Sequence, residues 1–404
     1  MNHPCAGSHG QTALEILTRD KLRVSSIHAR VNKVPSEAGT DLPAQSGSHI
    51  GSGNYIVSVG IGNPATTLSL AFATGSDLTW TQCLPCVGKC YPQNNSIFDP
   101  SKSTTYSPIP CSSDVCSYLL SYTSYSKQNC TLSPSCEYYI RYGDSSSVGN
   151  LATERLSLTP SDTVQNFTFG CGHYQGGLFR GASGFLGLGP GPFSIVSQTA
   201  QKHGRKFSYC LPTVNGTRGY LKFGGGAAAP PEKNIRFTPL STGTANNSYQ
   251  IQMLSISVGG KNLQIKPEVF EKAGMIIDSG TVITRLPPEA YVALRSAFVE
   301  EMKYYRNAPG DSLLDTCFDF SNTTEDKIKL PRIGFGFSGN VSVDVPPSGI
   351  LYVIERNLSK VCLAFAGSED PAGMGIYGNT QQQTLDVVYD VAGGRLGFSP
   401  GGCS

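Results

Sequence analysis

Two stretches in opposite halves of the chain share one shape, and that duplication constrains the fold more than any other feature. "LAFATGSDLTW" (Leu70 to Trp80) and "GMIIDSGTVITRL" (Gly274 to Leu286) each read as an apolar run, x-[TS]-G-[ST], then a second apolar run. A further match follows each: "GASGFLGLG" (Gly181 to Gly189) after the first loop and "GMGIYGN" (Gly373 to Asn379) after the second. "YQIQMLSISVGG" likewise echoes "NYIVSVGIG". The period is far longer than that of any solenoid repeat, so it marks two related halves and not an array. The reading is an N-terminal lobe over 51–212 and a C-terminal lobe over 213–404, with the matched loops meeting at a cleft between them. One position breaks the match: the second loop carries Asp278 where the first carries Ala73.

The strands behind these loops are short and alternating. With 46 Gly and 26 Pro and few long amphipathic segments, the chain reads as all-β. Charged residues make up 15%, against about 25% in an average soluble domain. A net charge of +2 gives no reason to expect nucleic acid or an anionic membrane surface as partner. No apolar run approaches the roughly 20 residues that span a bilayer. Of 13 cysteines, all but Cys5 lie between Cys83 and Cys403, a usage that reads as disulfides in an oxidising compartment. "CLPCVGKC" has zinc-like spacing, but the second ligand cluster that a zinc site needs is missing from the sequence, so no metal and no cofactor are expected. Sequons at Asn94, Asn129, Asn166, Asn215, Asn246, Asn322, Asn340 and Asn357 agree with a secreted glycoprotein. "MNHPCAGSHG" has no basic start or apolar h-region, so a secreted product implies that its signal is already removed and that Met1 is an expression start.

Residues 12–33 form the clearest helical pattern, with Leu17, Val24, Ile27 and Val31 on one face. Arg19, Lys21, Arg23, Arg30 and Lys33 outnumber Glu15 and Asp20, and a polar linker follows. A solvated terminal helix is one reading. The other is a removable basic pro-segment (1–50 with its linker) over an acidic cleft, cut between Val34 and Gly53.

"ATGSDLTW", "YGDSSSVGNLATE", "DSGT" and the two apolar-apolar-Gly strands, in this order and spacing, resemble the pepsin-like aspartic endopeptidases. The resemblance runs from about residue 12 to the end, and is nearest to the plant secreted branch typified by nepenthesin. The cysteine-dense insert Cys83–Cys136 resembles the insert of that branch. The resemblance implies a bilobal fold and a water activated between two carboxyls that share a proton, since adjacent like charges cannot both ionise cheaply; this family's dyad is the standard instance of that effect. One carboxyl acts as base on the water and the other donates to the substrate carbonyl, with no acyl-enzyme. Asp278 takes one of these places, and position 73 is where the other belongs. Gly75 and Gly280 let backbone approach the carboxyls, Thr74 and Ser279 bond across the lobes, and Ser76 and Thr281 hold the outer carboxylate oxygens. Tyr142, with Gly143 and Asp144 at the hairpin tip, corresponds to a flap that closes on substrate. Trp80 would donate its indole N–H to that tyrosine, or else simply pack in the core. The resemblance also implies the pairs Cys83–Cys86, Cys90–Cys171, Cys111–Cys136, Cys116–Cys130, Cys210–Cys403 and Cys317–Cys362. Partners implied are a polypeptide substrate, the chain's own pro-segment as intramolecular inhibitor, and pepstatin-like inhibitors, on a monomer in the apoplast or vacuole.

Ala73 departs from that pattern at the position the chemistry cannot spare, so the chain as written is expected to lack useful peptidase activity. Two origins fit. An Asp-to-Ala exchange would keep a zymogen from removing its own pro-segment. A natural non-catalytic relative, like the plant xylanase-inhibitor proteins, is the alternative; such relatives usually erode several site positions together, whereas here the neighbours are intact. A serine-protease reading finds no nucleophile context among six histidines. "GIGNP" and "FGGGAAAPP" lack the strand–loop–helix setting of nucleotide-binding motifs.

Overall fold

The strand Tyr55–Ile61 turns back on Thr66–Ala73, with Val57 opposite Leu70 and Val59 opposite Leu68. Alternation along both strands sends Val57, Val59, Ile61, Leu68, Leu70 and Phe72 into one buried cluster. In this computed structural model the described residues are 39–404, apart from 89, 123–133, 144, 178, 214–217, 226–234, 243–247, 325–326, 356, 370–373 and 404. They belong to one compact unit, Ala38–Ser404. The helical pattern over 12–33 lies outside them, as do Asp144, Asn129, Asn215 and Asn246. The remaining sequon asparagines, Asn94, Asn166, Asn322, Asn340 and Asn357, are all exposed.

The duplication read from the sequence is a duplication of topology. In the first half, Thr66–Ala73 enters the loop and Trp80–Gln82 leaves it. Both pair with Gly184–Gly187, the first parallel (Ala73 opposite Gly187) and the second antiparallel (Trp80 opposite Phe185). In the second half, Met275–Ile277 enters, Thr284–Leu286 leaves, and both pair with Gly375–Tyr377 in the same two senses. The exit strands then pair parallel with Asp162–Gly176 and Phe365–Gly367 respectively. Each apolar-apolar-Gly strand is therefore a wedge between the two arms of its loop. The wedge needs glycine: a Cβ on Gly187 would stand 2.0 Å from the Asp77 carbonyl oxygen.

The two halves are not separate in their hydrogen bonding. One sheet runs in the order Arg236–Pro239, Arg395–Pro400, Leu385–Asp390, Lys206–Cys210, Gly219–Phe223, Thr40–Ser46 and Tyr55–Ile61. The boundary drawn at 212/213 thus falls between two neighbouring strands of a shared sheet. Thr40–Ser46, read from sequence as part of a polar linker, is an internal strand of that sheet. It pairs with Gly219–Phe223 along Thr40 to Ala44 and with Tyr55–Ile61 at Gln45 and Ser46. Thr40, Leu42 and Ala44 are its inward residues and all three are buried. Pro43, Asp41 and Gln45 between them disguised the alternation.

Four of the expected disulfides are corrected. Cys83 pairs with Cys171, not Cys86, and Cys86 pairs with Cys90, so Cys90–Cys171 does not form. The cause is the parallel pairing of Trp80–Gln82 with Asp162–Gly176: it continues as a hydrogen bond from Cys83 N to Gly172 O and leaves the Cys83 and Cys171 Cα atoms 5.3 Å apart, within bridging range. In the insert, Cys116 pairs with Cys136, which excludes both Cys111–Cys136 and Cys116–Cys130. Cys116 lies on the helix Asp114–Tyr122, and it packs with Cys136, Leu119 and Tyr138 in one buried cluster. Cys111 is also disulfide-bonded, and Cys130 lies outside the described residues. Cys210–Cys403 and Cys317–Cys362 form as the resemblance implied.

Candidate active site

Two buried apolar strands deliver Ala73 and Asp278 to the mouths of their loops, and a set of crossed hydrogen bonds ties the loops together. Thr74 N donates to Ser279 Oγ (3.1 Å), and Ser279 N donates to Thr74 Oγ1 (3.0 Å). Each hydroxyl then donates onward to the backbone of the other half, Thr74 Oγ1 to Ile277 O (3.2 Å) and Ser279 Oγ to Phe72 O (3.3 Å). Both side chains are fully buried, so every one of these bonds is made where water cannot replace it.

The lock sets the two loop mouths against each other. A Cβ on Gly75 would lie 2.7 Å from Asp278 Cγ, and a Cβ on Gly280 would lie 2.8 Å from the Ala73 Cβ. Only glycine permits that approach. Asp278 Oδ1 accepts from Gly75 N and Gly280 N, both at 2.8 Å, and Oδ2 accepts from Thr281 Oγ1 at 2.7 Å. One carboxyl is thus held by three donors, one of them from the opposite half. Facing it, Ala73 offers a methyl group that can neither hold nor exchange a proton. Ser76, the counterpart of Thr281, has its Oγ 3.4 Å from the Tyr142 hydroxyl.

Tyr142 ends the strand Glu137–Tyr142, which pairs with Ser145–Thr159 around a turn at Gly143, whose φ is +58°. Its hydroxyl accepts from Trp80 Nε1 at 2.8 Å, and its ring stacks on Phe185 with centroids 4.9 Å apart. Trp80 is fully buried and also meets Phe179 edge-on at 5.0 Å. Donor and core-packing readings of Trp80 therefore describe the same side chain. Burial pushes the Tyr142 hydroxyl up to about 12, partly offset by its hydrogen bonds with Ser76 and Trp80. It stays a neutral donor across the acidic and neutral range.

Beneath the floor lies a polar network that the sequence reading missed. Gln382 Nε2 donates to Tyr377 O (2.9 Å) and reaches Asp278 O (3.4 Å), while its Oε1 accepts from Tyr209 at 2.5 Å. Tyr209 meets Tyr389 hydroxyl to hydroxyl at 3.1 Å, and Tyr389 is hydrogen-bonded in turn to the Thr74 side chain. Asn379 Nδ2 donates to Ser279 O and to Gly53 O. All of these side chains are buried. The available signal was "GNTQQQT", a polar run directly after the second wedge strand, since polar residues beside a buried strand need partners. Asp77, also unassigned from sequence, accepts from Gly191 N at 2.7 Å.

Among the described residues there is no group of three or more His, Cys, Asp or Glu placed to hold a metal, and no helix is long and apolar enough to cross a membrane. A cavity of about 640 Å³ lined by Arg236, Asp344, Leu385 and Phe398 lies elsewhere and includes neither loop.

Comparison with known proteins follows the same division into halves. A family model described as xylanase inhibitor N-terminal matches residues 55–225, and one described as xylanase inhibitor C-terminal matches residues 248–400. An aspartyl protease family protein of Arabidopsis thaliana is 50% identical over 399 residues, covering 97% of this chain and 82% of the relative. Aspartic proteinase nepenthesin-2 of Nepenthes gracilis is 34% identical over 401 residues, covering 96% of this chain and 85% of the relative. Among solved structures, edgp superposes with a TM-score of 0.70 at 20% identity, covering 91% of this chain and 96% of that one. Basic 7S globulin from soybean gives 0.69 at 21% identity, covering 89% and 96%. These two establish a shared fold.

Proposed function

The chain belongs to the plant aspartyl protease family, and from that premise we propose that it is a secreted aspartic-type endopeptidase held without turnover by Ala73. One observation carries the reading: a carboxyl fixed by three donors at Asp278 faces a methyl at Ala73 across two loops locked to each other. With an acid at position 73, the two carboxyls would share one proton. The ionised member would take a proton from water as its oxygen attacks the peptide carbon, and the protonated member would donate to the carbonyl oxygen. Tyr142, neutral and held by Trp80, is placed to cover a polypeptide lying in the cleft and exclude bulk water. Without the second acid there is no proton to give to the carbonyl, and the loss is roughly 10²–10⁴-fold from acid–base help alone. Loss of grip on the attacking water adds to that.

The bridged cysteines and exposed sequons fit secretion to the apoplast or vacuole. The basic 12–33 segment fits an intramolecular inhibitor released on acidification, as the carboxylates that attract it become protonated. Thr74, Gly75, Ser76, Tyr142 and the whole DSGT loop are intact, which favours one isolated exchange of Asp for Ala over the drift expected of a retired enzyme. The second reading is a binding protein on the same scaffold, favoured by the xylanase-inhibitor description of both matching family models. The test is hydrolysis of an unfolded protein at acidic pH by the chain and by Ala73→Asp, alongside binding of a pepstatin-like transition-state mimic. Turnover and tight binding by Ala73→Asp alone support the peptidase. Equal turnover by both, or neither activity in Ala73→Asp, rejects it.

A further inference from the structure

We propose that the space over the Ala73 methyl, beside the Asp278 carboxyl, is a binding site for a small monocarboxylic acid, and that formic acid bound there restores peptide hydrolysis to the chain as it stands. The inference rests on the peptidase reading and adds a ligand class to its site. Three features of the floor define that space. On one side stands Asp278, whose inner oxygen is already engaged by Gly75 N and Gly280 N and whose outer oxygen is held by Thr281. On the other stands Ser76, whose hydroxyl occupies the place equivalent to Thr281 but makes only a 3.4 Å contact with Tyr142. Thr281 makes a 2.7 Å bond to its carboxylate, so Ser76 has hydroxyl capacity left for an acid. Below lies the Ala73 methyl, packed against Gly280. Gly75 between them is exposed, so the space opens to the cleft.

A formic acid molecule there would hydrogen-bond to Asp278 and Ser76 with its C–H toward the Ala73 methyl, as the carboxyl of an aspartate would project from Cβ. Two adjacent carboxyls cannot both ionise cheaply, so the bound acid and Asp278 would share one proton. In the reaction, the ionised acid accepts a proton from water as the water oxygen bonds to the peptide carbon. The protonated acid gives its proton to the carbonyl oxygen. When the C–N bond breaks, a proton passes to the departing nitrogen, and formate leaves unchanged. Acetate places an extra methyl where formate has hydrogen, directly against Ala73, and fits less well.

The test uses the full chain, before and after its N-terminal segment is removed by immobilised Ala73→Asp, with an unfolded protein as substrate at acidic pH. Sodium formate should raise hydrolysis at least about tenfold, a fraction of the acid–base contribution because the acid is no longer tethered. Acetate should do less, and sodium chloride at equal ionic strength nothing. Asp278→Ala should abolish the effect. The proposal is overturned if Ala73→Asp turns over substrate while formate adds nothing to the chain, if acetate exceeds formate, or if rescue survives Asp278→Ala. Inactivity of Ala73→Asp would instead bring down the peptidase reading, and this inference with it.

Discussion

Replacing Thr74 by valine removes one hydroxyl from the lock between the loops and changes almost nothing else. Valine keeps the branched shape, so no cavity forms. The Ser279 N–H loses its acceptor at 3.0 Å, the Ile277 carbonyl loses a donor at 3.2 Å, and Tyr389 keeps only its contact with Tyr209. Thr74 and Ser279 are fully buried, so water cannot take over. An orphaned buried donor costs about 1–3 kcal/mol, and with the weakened Tyr389 bond the total comes to about 2–4 kcal/mol. Ser279→Ala should cost a similar amount by orphaning Thr74 N. The double variant should cost less than the sum by about 0.5–2 kcal/mol, because the second bond has little to hold once the first is gone. Urea unfolding followed by the fluorescence of Trp80, the single tryptophan, reads this directly. A Thr74→Val cost below about 0.5 kcal/mol, typical of a surface site, would refute the idea that these bonds hold the loops together.

Other consequences are separately testable. Tyr389→Phe removes the hydroxyl between Thr74 and Tyr209 and should cost about 1–2 kcal/mol by denaturant unfolding; in the Ala73→Asp background it should lower kcat more than it raises KM. Burial pushes the Asp390 carboxyl up, but the Arg395 hydrogen bond, the Lys206 charge and the Gly393 N–H outweigh it and hold the group below the ordinary carboxylate range. A depressed folded value stabilises above the unfolded value, near pH 4, and that stabilisation fades as pH falls through the folded value. Asp390→Asn should therefore be less stable than the parent at pH 6, with the gap closing in stronger acid. Because Thr40–Ser46 is an internal strand, deletion of residues 1–38 should leave the fold, while deletion through Ser46 should abolish it. Cooperative thermal unfolding of the longer deletion would contradict that placement.

What the sequence disclosed was what repeats. Ala73 and Asp278 were legible because each sits in a loop whose apolar arms and glycine recur in the other half, and the duplicated wedge strands followed from the same comparison. The shared sheet was not, because pairing between Lys206–Cys210 and Leu385–Asp390 is a long-range choice that leaves no local pattern. Thr40–Ser46 was lost for a different reason: its inward residues are Thr40, Leu42 and Ala44, only two of them apolar, with Pro43 between those two, so its composition is that of a linker. The pairs that the resemblance implied for the insert's cysteines did not hold, and sequence alone does not decide connectivity. The pairing of Cys83 with Cys171 follows from strand register, and that of Cys116 with Cys136 from the packing of its helix. Gln382, Tyr209 and Tyr389 act on the site from below through hydrogen bonds between distant strands, which no motif announces.

The most direct measurement is the pH dependence of kcat/KM for Ala73→Asp acting on an unfolded protein. Two carboxyls that face each other and share a proton should give a bell with both limbs on the acidic side, belonging to the pair and lost in Asp278→Ala. A single ionisation, or an unchanged profile when Asp278 is removed, would mean that positions 73 and 278 never formed a working couple.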